Sequence, residues 1–372
     1  MPAKVVSFEK FPTLLGALRE SGHTVVGPTI GEKSIVYDEI QTIDDLPIGV
    51  GELQGAGSYE LTRRDDNALF GYTVGPTTWK KYLFPPHETL LSVKDVDGTL
   101  LFESTAGEPT KYAFLGVRPC EIAAMEIQDR VFIGSTVQDP HYASTRSAAF
   151  TIAVNCAVAG ETCFCASMGT GPSAESGYDL VLTEVIDGPT HEFIIDAGST
   201  AGETLLEDIE GRPATDADAA AMSSIIADTA RHMVRSLQTD DVYDVLLSSL
   251  EDHNWTEVAA RCLSCTNCTL VCPTCFCSTM EDVTDLKGTA TRQRRWDSCF
   301  TMEFTNLHQH SVRSTTATQY RQWITHKFAY WQDQFDVIGC VGCGRCVTWC
   351  PAGIDITDEV KKLQAASKVV SV

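Results

Sequence analysis

Apolar positions in the first part of the chain alternate between a helical period and a strand period. One helical stripe follows Ser7, a candidate cap, stops at Gly22 and contains Phe8, Phe11, Leu14, Leu15 and Leu18. Short apolar runs predict strands at 24–30, 34–40, 59–64, 112–117, 149–155, 178–185 and 192–196. Asp97-Gly98 predicts a hairpin between 88–95 and 99–103. Residues 1–212 are therefore predicted to form a mixed α/β domain.

The pattern changes near residue 212, where Gly211-Arg212-Pro213 interrupts the periodicity. Thr215 and Asp218 have the spacing of a capping box, and a helical stripe follows. Further helical patterns follow Thr239 and cover 255–261, with no convincing strand pattern after them. We therefore predict an α+β chain in which 213–372 is a mostly helical domain.

Charge and cysteine content narrow the possible classes of protein. With 28 Lys and Arg against 50 Asp and Glu, the formal net charge is −22, which argues against nucleic acid and anionic membranes as partners. Neither a secretory signal nor a membrane-spanning apolar stretch is visible, so we expect a cytoplasmic protein. In a reducing compartment, the 15 cysteines are expected to be metal ligands rather than disulfides.

Two cysteine runs of the bacterial ferredoxin type are the strongest motif. Each reads C-x2-C-x2-C-x3-C-P, once from Cys262 to Pro273 and once from Cys340 to Pro351. In two-cluster ferredoxins the fourth cysteine of one run ligates the other cluster. One [4Fe-4S] cluster is therefore assigned to Cys262, Cys265, Cys268 and Cys350. The other is assigned to Cys340, Cys343, Cys346 and Cys272.

Zinc is the alternative for these runs, but two pairs of ligands would leave the remaining cysteines surplus. The long segment between the runs carries helical patterns, unlike a compact bacterial ferredoxin. We therefore predict a helix-expanded dicluster ferredoxin domain.

Four further cysteines lie in the first domain, at Cys120, Cys156, Cys163 and Cys165. Cys120 begins a predicted helix, where the amide dipoles are expected to lower the thiol pKa. Cys156 ends a strand, and Cys163 and Cys165 lie in the loop that follows. We predict that they hold a third [4Fe-4S] cluster, with zinc or unreactive thiols as alternatives.

Cys275, Cys277 and Cys299 remain unassigned. The TCFC sequence at 274–277 repeats that at 162–165, and a fourth centre completed by Asp297 or by a partner is one explanation. We favour the other explanation, in which these thiols pack beside a cluster and adjust its potential.

Sequence motifs for catalysis or nucleotide binding were not found. The chain has no P-loop and no flavin or nicotinamide fingerprint, so no catalytic residue is predicted and neither flavin, nicotinamide nor nickel is expected on this chain. The Arg292, Arg294 and Arg295 run could dock a partner, although such runs are more often solvated.

Several segments together resemble a known family. They are GVRPCE at 116–121, the Cys156–Cys165 motif, CPTCFC at 272–277, RWDSC at 295–299, and HKF at 326–328 followed by the second run. Over about 59–357 the chain resembles the iron–sulfur beta subunit of cytosolic NAD(P)-linked [NiFe] hydrogenases of the sulfhydrogenase type. It is equally similar to the A subunit of anaerobic sulfite reductase.

The resemblance implies a non-catalytic electron-transfer subunit. A flavoprotein diaphorase subunit would oxidise NAD(P)H, and this chain would relay electrons to a catalytic subunit or to a small hydrogenase subunit with iron–sulfur clusters. Hydrogenase is the preferred complex and siroheme sulfite reductase the alternative. Two further hypotheses are a self-sufficient reductase with a site near Cys120 and a scaffold whose clusters only stabilise the fold.

Overall fold

The computed structural model describes residues 3–104, 108–286, 288–308 and 310–370. Its strands are β1 (Lys4–Ser7), β2 (Thr24–Ile30), β3 (Ile35–Glu39), β4 (Val50–Gly55), β5 (Ser58–Arg63), β6 (His87–Val96), β7 (Thr99–Ser104), β8 (Tyr112–Val117), β9 (Phe150–Val154), β10 (Leu180–Asp187), β11 (Thr190–Ala197), β12 (Arg212–Pro213), β13 (Ser278–Thr284), β14 (Thr289–Trp296), β15 (Asn306–Leu307) and β16 (His310–Ser311).

The helices are α1 (Phe11–Glu20), α2 (Lys80–Leu83), α3 (Pro119–Phe132), α4 (Pro140–Ala148), α5 (Cys165–Met168), α6 (Thr200–Glu207), α7 (Asp216–Arg231), α8 (Val242–Ser248), α9 (Asn254–Ala259), α10 (Asn267–Leu270), α11 (Thr316–Thr325), α12 (Trp331–Phe335), α13 (Arg345–Thr348) and α14 (Ile356–Val370). A π-helical turn, His326–Tyr330, joins α11 to α12. Within the described residues, no helix has both the length and the apolarity needed to cross a bilayer.

An eight-stranded mixed sheet forms the body of the first part of the chain, in the order β12-β1-β11-β10-β9-β8-β2-β3. Its centre is parallel, and antiparallel strands flank it on both sides. Every residue of β9 is buried, as expected for a strand covered on both faces. The strands predicted in this region from apolar runs are confirmed.

Helix α1 begins later than its sequence pattern suggested. Ser7 precedes a short 3-10 turn, Phe8–Lys10, and makes no side-chain capping bond, so the α-helix starts at Phe11. The apolar stripe is otherwise as predicted, with Phe11, Leu14, Leu15 and Leu18 buried in the core beneath the sheet. The capping box of Thr215 and Asp218 at the start of α7 is also confirmed.

The prediction that no strand follows residue 212 is wrong. Strands β13 and β14 extend the β6–β7 hairpin into a four-stranded sheet of order β13-β14-β6-β7. The sequence of β14, TATRQRRW, lacks the apolar pattern of a strand. Its buried side chain, Arg294, is charged and pairs with Glu88 and Asp139. Residues from both predicted domains therefore share one sheet, and the boundary at 212 stays a prediction.

Candidate iron–sulfur centres

A cavity lies inside the loop of the first cysteine run. Cys262, Cys265, Cys268 and Cys350 all line it, and its apolar wall is made by Phe300, Tyr320 and Trp323. The loop turns back on itself through Ser264 and Thr266, which have φ values of 49° and 68°. The backbone N–H of Ser264 donates to Cys262 Sγ at 3.4 Å. The structure thus brings together the four residues predicted for the first cluster, with Cys265 exposed at the surface.

Cys272 leaves its own run and lies near the second one. Burial raises the pKa of Cys340 to about 12, and it also raises those of Cys343 and Cys346. The negative charge of Cys272 further raises the pKa of each of these three thiols. Lys327 Nζ contacts both Cys272 Sγ, at 3.3 Å, and the carbonyl oxygen of Gly339, at 2.9 Å, so Cys272 lies beside the start of the second run. The exchange of fourth ligands between the runs stays a prediction.

The four cysteines of the first domain are buried and are also near one another. Cys120 is in the first turn of α3, Cys156 follows β9, and Cys163 and Cys165 flank the start of α5. After burial, the main influences that raise the pKa of Cys165 are the charges of Cys163 and Cys156. The same group reaches the second run, since Cys163 Sγ lies 4.0 Å from the carbonyl oxygen of Cys343.

The prediction that the start of the helix lowers the pKa of the Cys120 thiol is wrong. Burial, followed by the charges of Cys165 and Cys343, raises the pKa of the Cys120 thiol well above its usual range. Removal from water disfavours a thiolate by more than the helix dipole favours it. A bound metal would reverse this, because a coordinated thiol is deprotonated.

The loop 162–165 packs directly on the second cysteine run. Phe164 N donates to Gly342 O at 2.8 Å, and Thr162 Oγ1 is 2.8 Å from Thr348 Oγ1. Gly342 has a φ of +64°, and a Cβ there would approach the backbone of Cys165 to 2.7 Å. Glycine is therefore required at this position both for conformation and for close approach.

Two buried arginines supply positive charge beside these cysteines. Arg118 donates to the carbonyls of Phe70, Tyr72 and Thr73, and its charge lowers the pKa of Cys156 against the larger effect of burial. Arg345 pairs with Glu121, and its charge has the same lowering effect on the pKa of Cys343.

Among the described residues, Nη1 of each arginine finds no hydrogen-bond partner although it is buried. A buried donor left unpaired costs about 1–3 kcal/mol. Anionic sulfur beside these donors would remove that cost, so the residues present fit an iron–sulfur cluster.

In the part of the chain that the structure describes, no three His, Cys, Asp or Glu side chains are arranged to hold a single metal ion. Ligands of a cubane need not meet at one point, since each thiolate binds a different iron at a corner of the cube.

Of the unassigned cysteines, Cys275 lies beside Cys272, and Cys277 lies beside Cys299. A hydrogen bond from Cys275, together with the charge of Lys327, lowers the pKa of Cys272 well below its usual range. In the same way, a hydrogen bond from Cys299 lowers the pKa of Cys277. Asp297 Oδ1 already accepts from Thr301 Oγ1 at 2.6 Å and from Ser298 N at 2.7 Å. These contacts support thiols that pack beside a cluster more than a fourth centre completed by Asp297.

Two buried lysines lie near Cys272, and no sequence pattern predicts them. Lys327 Nζ lies 3.3 Å from Cys272 Sγ, and Lys80 Nζ lies 3.0 Å from the Cys272 carbonyl oxygen. In the sequence, the segment HKF at 326–328 contributes to the family resemblance, and its pattern does not indicate that Lys327 is buried. The run Arg292, Arg294 and Arg295 proves to be paired within the chain, with Asp282, with Glu88 and Asp139, and with Glu281 respectively.

Comparison with known proteins agrees with these features. Residues 261–354 match a family described as 4Fe-4S dicluster domain. The chain is 30% identical over 374 residues to sulfhydrogenase 2 subunit beta of Pyrococcus furiosus, covering 95% of this chain and 97% of that protein. No solved structure matches. The chain is thus an iron–sulfur electron-transfer subunit, and it belongs to the family of hydrogenase iron–sulfur beta subunits.

Proposed function

We propose that this subunit relays electrons between an NAD(P)H-oxidising flavoprotein subunit and the catalytic subunit of a [NiFe] hydrogenase. The observation that carries the proposal is the contiguous row formed by the three cysteine sets. Cys343 joins the Cys120 set to the second set, since Cys163 Sγ is 4.0 Å from its carbonyl oxygen. Cys346 joins the second set to the first, because it lines the cavity of the first run.

Each set would hold one [4Fe-4S] cluster, which accepts and releases single electrons when bound. The first would use Cys262, Cys265, Cys268 and Cys350, the second Cys340, Cys343, Cys346 and Cys272, and the third Cys120, Cys156, Cys163 and Cys165. Phe300, Tyr320 and Trp323 give the first site an apolar wall, and the whole Cys120 set is buried. An apolar surrounding of this kind influences the potential of a cluster.

One end of the row reaches the surface. Cys265 is exposed, and the neighbouring Leu263 is 67% exposed. We assign electron exchange with one partner subunit to this end, because Cys265 is exposed whereas the other candidate ligands are half-buried or buried.

The burial of the Cys120 set also bears on the self-sufficient reductase hypothesis. A cluster that binds substrate needs an open position, whereas Cys120 and Cys165 are 5% and 4% exposed. A relay role is therefore better supported than a catalytic one. The sulfite reductase alternative uses the same row of clusters and differs only in the catalytic subunit.

Isolation of the complex tests this proposal. The tagged chain is purified anaerobically from its native host, and the co-purifying chains and metals are identified. A nickel-binding chain and a flavoprotein are expected, together with NAD(P)H-dependent hydrogen production. In a Cys346→Ala complex, that reaction should be lost while each partner still reacts with artificial dyes. A siroheme chain would support the alternative, and a chain that purifies alone and is active would contradict the relay.

A further inference from the structure

Lys327 is a buried cation whose partners are not carboxylates. It lies in the π-helical turn and is 4% exposed. Its Nζ donates to Cys272 Sγ at 3.3 Å, Thr274 Oγ1 at 3.0 Å and Gly339 O at 2.9 Å. A π-turn is uncommon and occurs frequently at functional sites. This one places an ammonium group directly on a cysteine assigned to the second cluster.

Lys80 contacts the backbone of the same cysteine and is 6% exposed. Its Nζ donates to the carbonyl oxygens of Cys272 at 3.0 Å and Cys275 at 3.1 Å, with that of Leu270 at 3.5 Å. It also lies 3.9 Å from the centre of the Trp296 ring. Two ammonium groups thus converge on Cys272 from α2 and from the π-turn.

A buried charge is costly unless an opposite charge compensates it. Lys327 Nζ contacts a thiol, a hydroxyl and a carbonyl oxygen, and of these three partners only the sulfur of Cys272 can carry a negative charge. The geometry therefore makes sulfur the compensating charge for Lys327, which fits an anionic cluster at this position.

Within the described residues, no comparable buried cation contacts the first cysteine set. Arg261, next to Cys262, has a side chain that is 43% exposed and that pairs with Glu359 at 2.6 Å. Its charge is thus both solvated and neutralised. The two sets of the dicluster domain therefore differ in the electrostatic environment of their sulfurs.

We propose that Lys327, supported by Lys80, is a positioning residue that raises the reduction potential of the second cluster above that of the first. The inference rests on the proposed assignment of Cys272, Cys340, Cys343 and Cys346 to one cluster. Reduction adds one negative charge to a cluster, so a fixed cation nearby stabilises the reduced form more than the oxidised form. Electrons that enter at the exposed Cys265 end are then drawn inward.

The test is a redox titration of the full-length chain followed by electron paramagnetic resonance, with iron content measured on the same samples. Lys327→Met should lower the potential of one cluster signal, changing its ratio of reduced to oxidised form about tenfold, or about 59 mV for one electron. Lys327→Arg should restore it, and Lys80→Met should cause a smaller shift of the same sign.

Lys4→Met is the matched control. Lys4 Nζ also donates to carbonyls, those of Leu206 at 2.6 Å and Ile209 at 2.8 Å, and it has no hydrogen bond to a cysteine in the part of the chain that the structure describes. The Lys4→Met substitution should leave the reduction potential of every cluster unchanged.

An unchanged potential in Lys327→Met with full iron content would overturn the proposal, as would an equal shift in Lys4→Met. If Lys327→Met loses iron, the test depends on Lys80→Met. An unchanged reduction potential in Lys80→Met would then overturn the proposal. Failure of the cluster assignment is separate: it would appear as a Cys272→Ser chain that keeps all the cluster signals of the wild type.

Discussion

Glu121 and Arg345 form an ion pair that is closed to solvent at both ends. Glu121 Oε1 lies 2.6 Å from Arg345 Nη2, and the side chains are 1% and 0% exposed. Glu121 follows Cys120 on α3, whereas Arg345 lies between Cys343 and Cys346. The pair therefore ties the helix of the third cysteine set to the second ferredoxin run, and it fixes the two candidate centres relative to each other.

Removing one member of this pair should destabilise the protein strongly. Glu121→Gln leaves Arg345 buried without its carboxylate, and such a loss costs about 3–5 kcal/mol. The free energy of unfolding from urea titration measures it. Asp282→Asn is the matched control, because the Asp282–Arg292 pair is 67% and 57% exposed and should contribute about 1 kcal/mol or less. Equal effects of the two substitutions would contradict this view of the buried pair.

Gly342→Ala should separate the loop 162–165 from the second run. The added Cβ would meet the backbone of Phe164 and Cys165 at 2.7 Å, and the hydrogen bond from Phe164 N to Gly342 O would be lost. We expect iron content to fall by about four atoms per chain as the third site is disrupted.

Gly98→Ala is the control for this substitution. Gly98 also has a positive φ, +81°, but nothing lies within 4 Å of its Cβ position, so only about 1–2 kcal/mol of conformational strain is added. Iron should be retained. Iron loss in both variants would show that the effect is general instability rather than loss of the contact with the loop.

Cysteine substitutions should separate ligands from neighbouring thiols. Cys156→Ser is expected to remove about four irons per chain, because a cubane lacking one of its four thiolates is not stably held. Cys299→Ser is expected to keep the full iron content and to change only a reduction potential. Iron analysis and visible absorption measure both, and an iron loss in Cys299→Ser would point to a further centre at Cys275, Cys277 and Cys299.

His326 predicts a pH dependence of stability. Burial, with the adjacent Lys327 charge, lowers its pKa to about 4, against about 6.5 in the unfolded chain. Between these values the unfolded state binds a proton that the folded state does not, so stability falls as the pH decreases from 6.5 to 4. At pH 4 the free energy of unfolding should be about 1–3 kcal/mol lower than at pH 7, and no change is expected above pH 7.

Urea titrations at several pH values measure this effect. His326→Gln should flatten the dependence between pH 6.5 and 4. The matched substitution His253→Gln should not, because the His253 side chain is 78% exposed and remains in solvent when the protein folds. An unchanged slope in His326→Gln would contradict the role assigned to burial.

The ferredoxin runs and most strands of the eight-stranded sheet could be predicted from the sequence because each is a local pattern. Strands β13 and β14 could not, since β14 pairs with β6 across a long interval of sequence and buries Arg294 instead of an apolar side chain. Arg294 is accommodated only because Glu88 and Asp139 reach it from distant elements.

The burial of Lys80 and Lys327 also could not be predicted from the sequence. Lys80 lies in a Lys-Lys pair and Lys327 follows a histidine, and both patterns are usual at surfaces. Their burial depends on how α2 and the π-turn pack around the 270–275 segment. The pKa of Cys120 could not be judged for the same reason, because burial is a property of the assembled fold.

The iron content of the full-length chain, purified anaerobically and titrated with a one-electron reductant, tests the central claim most directly. Three [4Fe-4S] clusters predict about twelve irons per chain and uptake of about three electrons. Fewer than about eight irons, or a chain whose iron cannot be reduced reversibly, would contradict an electron relay.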